Sequence, residues 1–242
     1  MQRVHKWFNV FGANTDVGKT VAVTGLALAA LRRCDHVGYI KPVQTGSAHG
    51  HSDEATIAEY VNEFANASLD YGRLHMNTLY SWGEPVSPHI AAKGDENLPS
   101  DQVLYDRVLE EMERMSKCEV GIIETAGGVL SPAPSGTPQA SLYYALPMNH
   151  ILVADGKLGG ISTTLTSLEA LDARDCSVSA VLMIEDKSLG NGDYIRDYWQ
   201  EAKCFSLPML PEDPETPLFD WHAENSPIFD NILEHILEQD NE

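Results

Sequence analysis

The chain has 242 residues, 43% of them hydrophobic and 21% charged, the composition of an ordinary soluble globular protein. Its 36 acidic residues against 16 basic ones give a formal charge of −20, a field that repels nucleic acid and anionic membrane and argues against both as partners. No apolar run of 18 residues is present, so no transmembrane helix is expected. The four cysteines, Cys34, Cys118, Cys176 and Cys204, are far apart and form no C-x-x-C pair, which points to buried thiols in a reducing compartment. Strand-like sequence begins within about six residues of the N-terminus, an expectation that leaves no room for a signal or transit peptide.

In chain order, an apolar run over 7–11 reads as a strand, and Gly12 opens a glycine loop ending in Gly18, Lys19 and Thr20. Residues 21–31 are rich in Ala and Leu and predict a helix closing near Arg32 and Arg33. A short strand is predicted over 36–43, and a helix over 53–65 with Ile57, Val61 and Phe64 on one face. Residues 66–99, broken by Pro85, Pro88 and Pro99, read as irregular. Ser100 and Asp101 cap a helix running to Met115, and 118–123 is a buried strand leading into Glu124, Thr125, Ala126, Gly127 and Gly128.

A strand over 150–154 precedes glycine-rich residues 156–160 and a helix opening near Ser162. A further strand over 178–184 ends at Glu185 and Asp186. Strands without alternation, separated by helices, predict an α/β fold with a mostly parallel sheet of P-loop type, helices on both faces and three layers. Neither an internal repeat nor a second domain stands out, so residues 1–242 read as one domain. Its segment from Asp213, helical over 228–237, is either a peripheral helix or the start of a linker.

The strand, glycine loop and helix around 12–20 make a phosphate cradle, because glycines let backbone N–H groups approach phosphate oxygens at the positive end of a helix. Lys19 would reach the β- and γ-phosphates and the Thr20 hydroxyl would take Mg²⁺. Five residues rather than four separate Gly12 from Gly18, so the loop is one residue longer than the usual P-loop. Mg²⁺ needs carboxylates beside Thr20. Asp53 is one candidate, with a helix N-cap as its alternative reading. Glu124, at the end of a buried strand, is the other, with a structural hydrogen bond as its alternative.

Lys41 closes a strand before Pro42 and would point into the same crevice, where a second ammonium stabilises phosphoryl-transfer charge; the alternative is an exposed strand-end lysine. Its replacement by Ala is expected to lower turnover with little effect on folding. Thr45 and Ser47 follow in a loop able to hydrogen-bond a substrate. His49, His51 and His89 lack nearby cysteine, and no zinc site is assigned to them.

The chain resembles dethiobiotin synthetase in six segments taken in order. These are the long P-loop at 12–20, the 41–46 run from Lys41 to Gly46, Ser52 with Asp53, the 84–90 run, Glu124 through Gly128, and the 157–162 run. The 124–128 run, Ser135 to Thr137 and the 155–162 run resemble most closely the synthetase half of eukaryotic bifunctional enzymes, where an aminotransferase follows. The resemblance implies an ATP- and Mg²⁺-dependent cyclo-ligase of biotin synthesis that joins 7,8-diaminopelargonic acid and CO₂ through a phosphorylated carbamate.

It implies ATP contacts from Gly12, Asn14, Thr15, Asp16, Val17, Gly18, Lys19, Thr20, Glu124, Thr125, Ala126 and Gly127. Mg²⁺ would be held by Thr20, Asp53 and Glu124, with Lys19 and Lys41 catalytic. Diamine contacts are implied for Thr45 and Gly128, and a homodimer would carry Leu158, Gly159, Gly160, Ile161 and Ser162 to the partner's substrate. Glu185 and Asp186 stand where bacterial relatives often place Asn-Asp to read adenine, and ionised Glu only accepts hydrogen bonds. The location implied is cytoplasmic, or mitochondrial for a bifunctional polypeptide. The competing reading is a partition-type P-loop ATPase acting as a switch.

Overall fold

Seven strands form one sheet, ordered β3-β2-β4-β1-β5-β6-β7 with every pairing parallel, in a computed structural model that describes residues 6–49, 52–68, 71–213 and 216–239. In chain order the elements are β1 (Lys6–Gly12), α1 (Lys19–Arg33), β2 (Val37–Thr45), α2 (Asp53–Ser68), β3 (Leu74–Trp82), α3 (Pro88–Ala91), α4 (Asp101–Arg114) and β4 (Val120–Gly128). They continue with α5 (Gln139–Tyr143), β5 (Asn149–Ala154), α6 (Gly160–Asp172), β6 (Val178–Ile184), α7 (Asn191–Tyr198), β7 (Lys203–Leu207), α8 (Phe219–Glu224) and α9 (Ser226–Glu238). The predicted three-layer α/β architecture is what the chain adopts.

Side chains alternate between the two faces of each strand, and two hydrophobic layers result. Val10, Tyr39, Ile122 and Val153 pack with Leu26, Ile57, Phe229 and Ile232 under α1, α2 and α9. Phe11, Ile40, Ile123 and Leu152 pack on the other face with Leu104, Val108, Tyr143 and Leu168 under α4, α5 and α6. Gly25 lets α1 and α9 meet closely, since a Cβ there would lie 2.3 Å from the Phe229 ring. The helix predicted over 228–237 is thus part of the core layer, with Phe229, Ile232, Leu233 and Ile236 buried.

Six elements depart from expectation: β3 and α3 lie inside residues read as irregular, and α5, α7, β7 and α8 lie in stretches given no element. Residues 66–99 are not wholly irregular, because β3 lies inside them as an edge strand. Its polar His75, Asn77, Thr78 and Ser81 mask the strand pattern, and all but one of its residues are half-buried. α7 and β7 lie in a stretch given no element, where short length and mixed polarity leave no period to read.

The ladder between β2 and β4 runs from Val37↔Val120 to Ile40↔Ile123 and goes no further. Pro42 has no N–H to extend it. Beyond that point β2 stays paired with β3, and the parting of β2 from β4 opens a crevice at the carboxyl edge of the sheet. Crevices outside the carboxyl ends of strands are where open α/β sheets bind ligands.

Candidate active site

The turn between β1 and α1 is held open by its backbone. Asp16 and Gly18 both have positive φ, 56° and 87°, and Gly18 is the residue just before α1. Gly12 pairs in register with Gly128, and a Cβ on Gly12 would sit 2.8 Å from both the Asn14 carbonyl and Lys19 Nζ. The Lys19 ammonium therefore lies across the loop, donating to the Asn14 carbonyl at 3.4 Å. Burial holds its pKa below the ordinary lysine value, with attraction to Glu124 opposing. Asn14 Oδ1 accepts from the Thr15 N–H at 2.8 Å, and Val17 is buried in the core rather than turned to the cleft.

The three residues proposed from sequence as metal ligands converge. The Thr20 hydroxyl lies 2.8 Å from Asp53 Oδ1 and 3.1 Å from Glu124 Oε1. Lys41 Nζ joins them at 2.5 Å from Asp53 Oδ2 and 3.1 Å from Glu124 Oε1, and it donates to the Thr125 carbonyl at 3.4 Å. Lys41 is only 2% exposed, so it is not a surface lysine at a strand end. Nor is Asp53 the N-cap of α2: Ser52 Oγ accepts from the Ala55 N–H in that role, and Gln44 Oε1 accepts from the Asp53 N–H. The Asp53 carboxylate is left to face Lys41 and Thr20.

Electrostatics follow from this crowding. Burial pushes Glu124 above the ordinary carboxylate range, with Lys41 opposing. Burial alone would lower the Lys41 ammonium, but the Glu124 and Asp53 carboxylates prevail and hold it above its ordinary value. Asp53 is held below its ordinary value by Lys41 and Thr20, against the effect of burial. The hard oxygen donors of one hydroxyl and two carboxylates suit Mg²⁺, which uses one or two carboxylates, substrate phosphates and retained waters.

These residues line one cavity of about 990 Å³. Thr15, Asp16, Gly18, Lys19 and Thr20 form one side, and Thr45, Ala126 and Gly127 another. Pro85, Val86, Ser87 and Ile90 line its rim, where Val86 and Ile90 are exposed apolar side chains. Thr125 is buried beneath, its hydroxyl donating to the Val10 carbonyl at 3.0 Å. Gly128 donates its N–H to Ser131 Oγ at 2.8 Å.

Leu158, Gly159, Gly160, Ile161 and Ser162 do not line this cavity; they lead into and open α6, with Leu158 89% exposed, Ile161 half-buried and Gly160 buried. Glu185 is also turned away. Its carboxylate accepts from the Gly192 N–H at 2.8 Å and from Ser206 Oγ at 2.6 Å, and Asp186 caps the following turn through the Ser188 N–H. His89 lies on α3, away from any group of three metal-binding side chains among the described residues, and His51 lies outside them.

Sequence reasoning missed Tyr39, Gln44, Ser131 and Gln139. Tyr39 donates to Glu124 Oε2 at 3.0 Å. Its position two residues before Lys41 on one strand was the available signal, since residues i and i+2 share a face. Gln139 accepts from the Ala126 N–H at 3.0 Å and also donates to the Ala126 carbonyl, gripping the β4 end from α5. No local pattern announces that contact.

A parallel sheet with a long phosphate loop, an adjoining hydroxyl–dicarboxylate cluster and a second buried lysine defines a P-loop nucleotide-binding protein. The AAA domain family AAA_26 matches residues 7–215. The chain belongs to the dethiobiotin synthetase family within that group: it is 32% identical to the ATP-dependent dethiobiotin synthetase BioD of Caldicellulosiruptor bescii, over 83% of this chain and 82% of that one. It is also 34% identical, over 95% of its length, to the mitochondrial bifunctional dethiobiotin synthetase/7,8-diamino-pelargonic acid aminotransferase of Oryza sativa subsp. japonica. The chain spans about a third of that relative, 34% of its length. In three dimensions it resembles a chain of the MinC:MinD cell division protein complex of Aquifex aeolicus, with a TM-score of 0.57 over 98% of this chain and 96% of that one. At 12% identity that likeness is of fold alone.

Proposed function

We propose that the chain catalyses ATP-dependent closure of the ureido ring of 7,8-diaminopelargonic acid with CO₂, giving dethiobiotin. The observation that carries this reading is the convergence of Lys41 and Thr20 on Asp53 and Glu124 beside the phosphate loop. One amine of the diamine takes up CO₂ as a carbamate, and a carbamate oxygen attacks the γ-phosphorus of ATP with release of ADP. The second amine then attacks the carbonyl carbon of the carbamic–phosphoric anhydride, phosphate leaves, and the ring closes.

The difficulty for such an enzyme is that carbamate and triphosphate are both anions that must touch. Lys19 neutralises the β- and γ-phosphates, and backbone N–H groups of residues 12–20 hold them. Lys41, buried and kept protonated by its carboxylate neighbours, meets the developing charge between carbamate and phosphoryl group. Thr20, Asp53 and Glu124 would hold Mg²⁺, which supplies Lewis-acid stabilisation of the phosphoryl oxygens when bound. Thr45, on the cavity wall, orients the diamine, with Gly128 behind it shaping the β4 end through its bond to Ser131, and the apolar side chains of Pro85, Val86 and Ile90 flank the opening.

Leu158, Gly159 and Ser162 are exposed where α6 begins, which suits delivery of the α6 N-terminus to the substrate of a second copy in a homodimer. Residues 1–242 are read as one domain, and an aminotransferase is the partner activity, fused or associated, in a mitochondrial or cytoplasmic setting. Asp16 and Asn14 complete the loop around the triphosphate, while base recognition near Glu185 and Asp186 rests on backbone groups. The test is phosphate release with ATP, bicarbonate and 7,8-diaminopelargonic acid, with dethiobiotin detected by mass. Turnover that needs the diamine is expected; ATP hydrolysis indifferent to it would overturn the reading.

A further inference from the structure

Glu124 carries two oxygens that face different partners. Oε1 looks into the cluster, 3.1 Å from both Lys41 Nζ and the Thr20 hydroxyl. Oε2 looks away from it, 3.0 Å from the Tyr39 hydroxyl. Tyr39 is fully buried in the layer beneath α1, so water does not compete for this contact. Tyr39 and Lys41 are two residues apart on β2 and grip the same carboxylate from one strand, one on each oxygen.

We propose that Tyr39 is a positioning residue that fixes Glu124 as a one-oxygen ligand and so sets the site's preference for Mg²⁺ over Ca²⁺. The argument is one of coordination chemistry. Ca²⁺ takes six to eight oxygens and commonly engages both oxygens of a carboxylate, whereas Mg²⁺ is smaller, octahedral and satisfied by single oxygens. A carboxylate whose second oxygen is tied to a buried O–H offers one oxygen only. Loss of a partner that orients a metal ligand typically costs about 10–100-fold in metal affinity. Asp53 lacks an equivalent lock, because both its oxygens face Thr20 and Lys41 inside the cluster.

This inference rests on the reading that Thr20, Asp53 and Glu124 hold the metal, and the test separates the two. Mn²⁺ is titrated by electron paramagnetic resonance into protein with a non-hydrolysable ATP analogue, the signal of the nucleotide alone is subtracted, and Mg²⁺ or Ca²⁺ then competes. Wild-type protein that binds no Mn²⁺ beyond the nucleotide's share would remove the metal reading itself. Wild-type protein that binds Ca²⁺ as tightly as Mg²⁺ would overturn the Tyr39 inference alone, without any variant.

In Tyr39→Phe the ring and its packing remain and Oε2 is released. The expected result is about a tenfold or larger fall in the ratio of Mg²⁺ to Ca²⁺ affinity, in the range known for lost partners of metal ligands. A lowered melting temperature with an unchanged ratio would show that Tyr39 only supports the fold, and would overturn the proposal.

Discussion

Lys41 Nζ lies 2.5 Å from Asp53 Oδ2, a pairing between the middle of β2, which runs on to Thr45 rather than closing at Lys41 as the sequence suggested, and the first residue of α2. The same ammonium also faces Glu124, so one buried cation balances two carboxylates. Lys41→Met therefore leaves two acids facing each other without compensation. Turnover should fall by roughly 10²-fold or more, as for other lost transition-state charges. Stability should fall too, by about 3–5 kcal/mol, the scale for breaking a buried ion pair. That revises the expectation from sequence that a substitution here leaves folding untouched. Thermal melts with and without Mg²⁺ check it: a normal melting temperature in the absence of metal would show that the cluster tolerates its own repulsion.

Gln139 holds both backbone groups of Ala126, two residues past Glu124 on the same strand end. Gln139→Ala removes the partner of the half-buried Ala126 N–H and carbonyl, costing up to about 1–3 kcal/mol for each that is left unsatisfied. The expected outcome is lower stability together with a lower kcat, because the strand end that carries Glu124 loosens. A variant less stable by urea titration yet kinetically normal would confine Gln139 to the fold.

The Glu185 carboxylate is occupied by the Gly192 N–H and Ser206 Oγ. Glu185→Gln should then leave the ratio of kcat/KM for ATP and GTP within about threefold of the parent, less than the 1.4 kcal/mol that a tenfold change needs. Competition between the two nucleotides measures it. A larger shift would mean that the side chain turns toward the base after all.

Acid should destabilise the protein through two histidines. His222 is buried among the rings of Tyr60, Trp221 and Phe229, at 5.3, 5.2 and 6.0 Å, with both ring nitrogens lacking a partner among the described residues. His150 is buried beside Phe11. Burial lowers both to about 4 from the ordinary 6.5. Between those values the unfolded chain binds a proton that the folded chain does not, so stability declines as pH falls from about 6.5 to about 4. Each histidine contributes roughly 3 kcal/mol over that window. Unfolding of His222→Met followed across this range should show a shallower slope than the parent; identical slopes would exclude His222 as a source.

The sequence by itself determined the nucleotide loop and the parallel sheet, while the family entered through a resemblance over six ordered segments. These are local facts: glycine spacing, unbroken apolar strands and residue types at strand ends act through the nearest few residues of backbone. It also named Thr20, Asp53, Glu124 and Lys41, because strand-end and helix-start polar residues in an α/β protein gather on one edge. Only the tertiary structure decided that Ser52 rather than Asp53 caps α2, that Lys41 is buried between two acids, and that Glu185 is tied to α7. The i, i+2 spacing puts Tyr39 on the face of Lys41, but its contact with Glu124, like that of Gln139 with Ala126, exists only once β2 lies beside β4 and α5 closes over the β4 end. These are contacts across 85 and 13 residues of chain, made by burial and hydrogen-bond satisfaction, which no short window of sequence encodes.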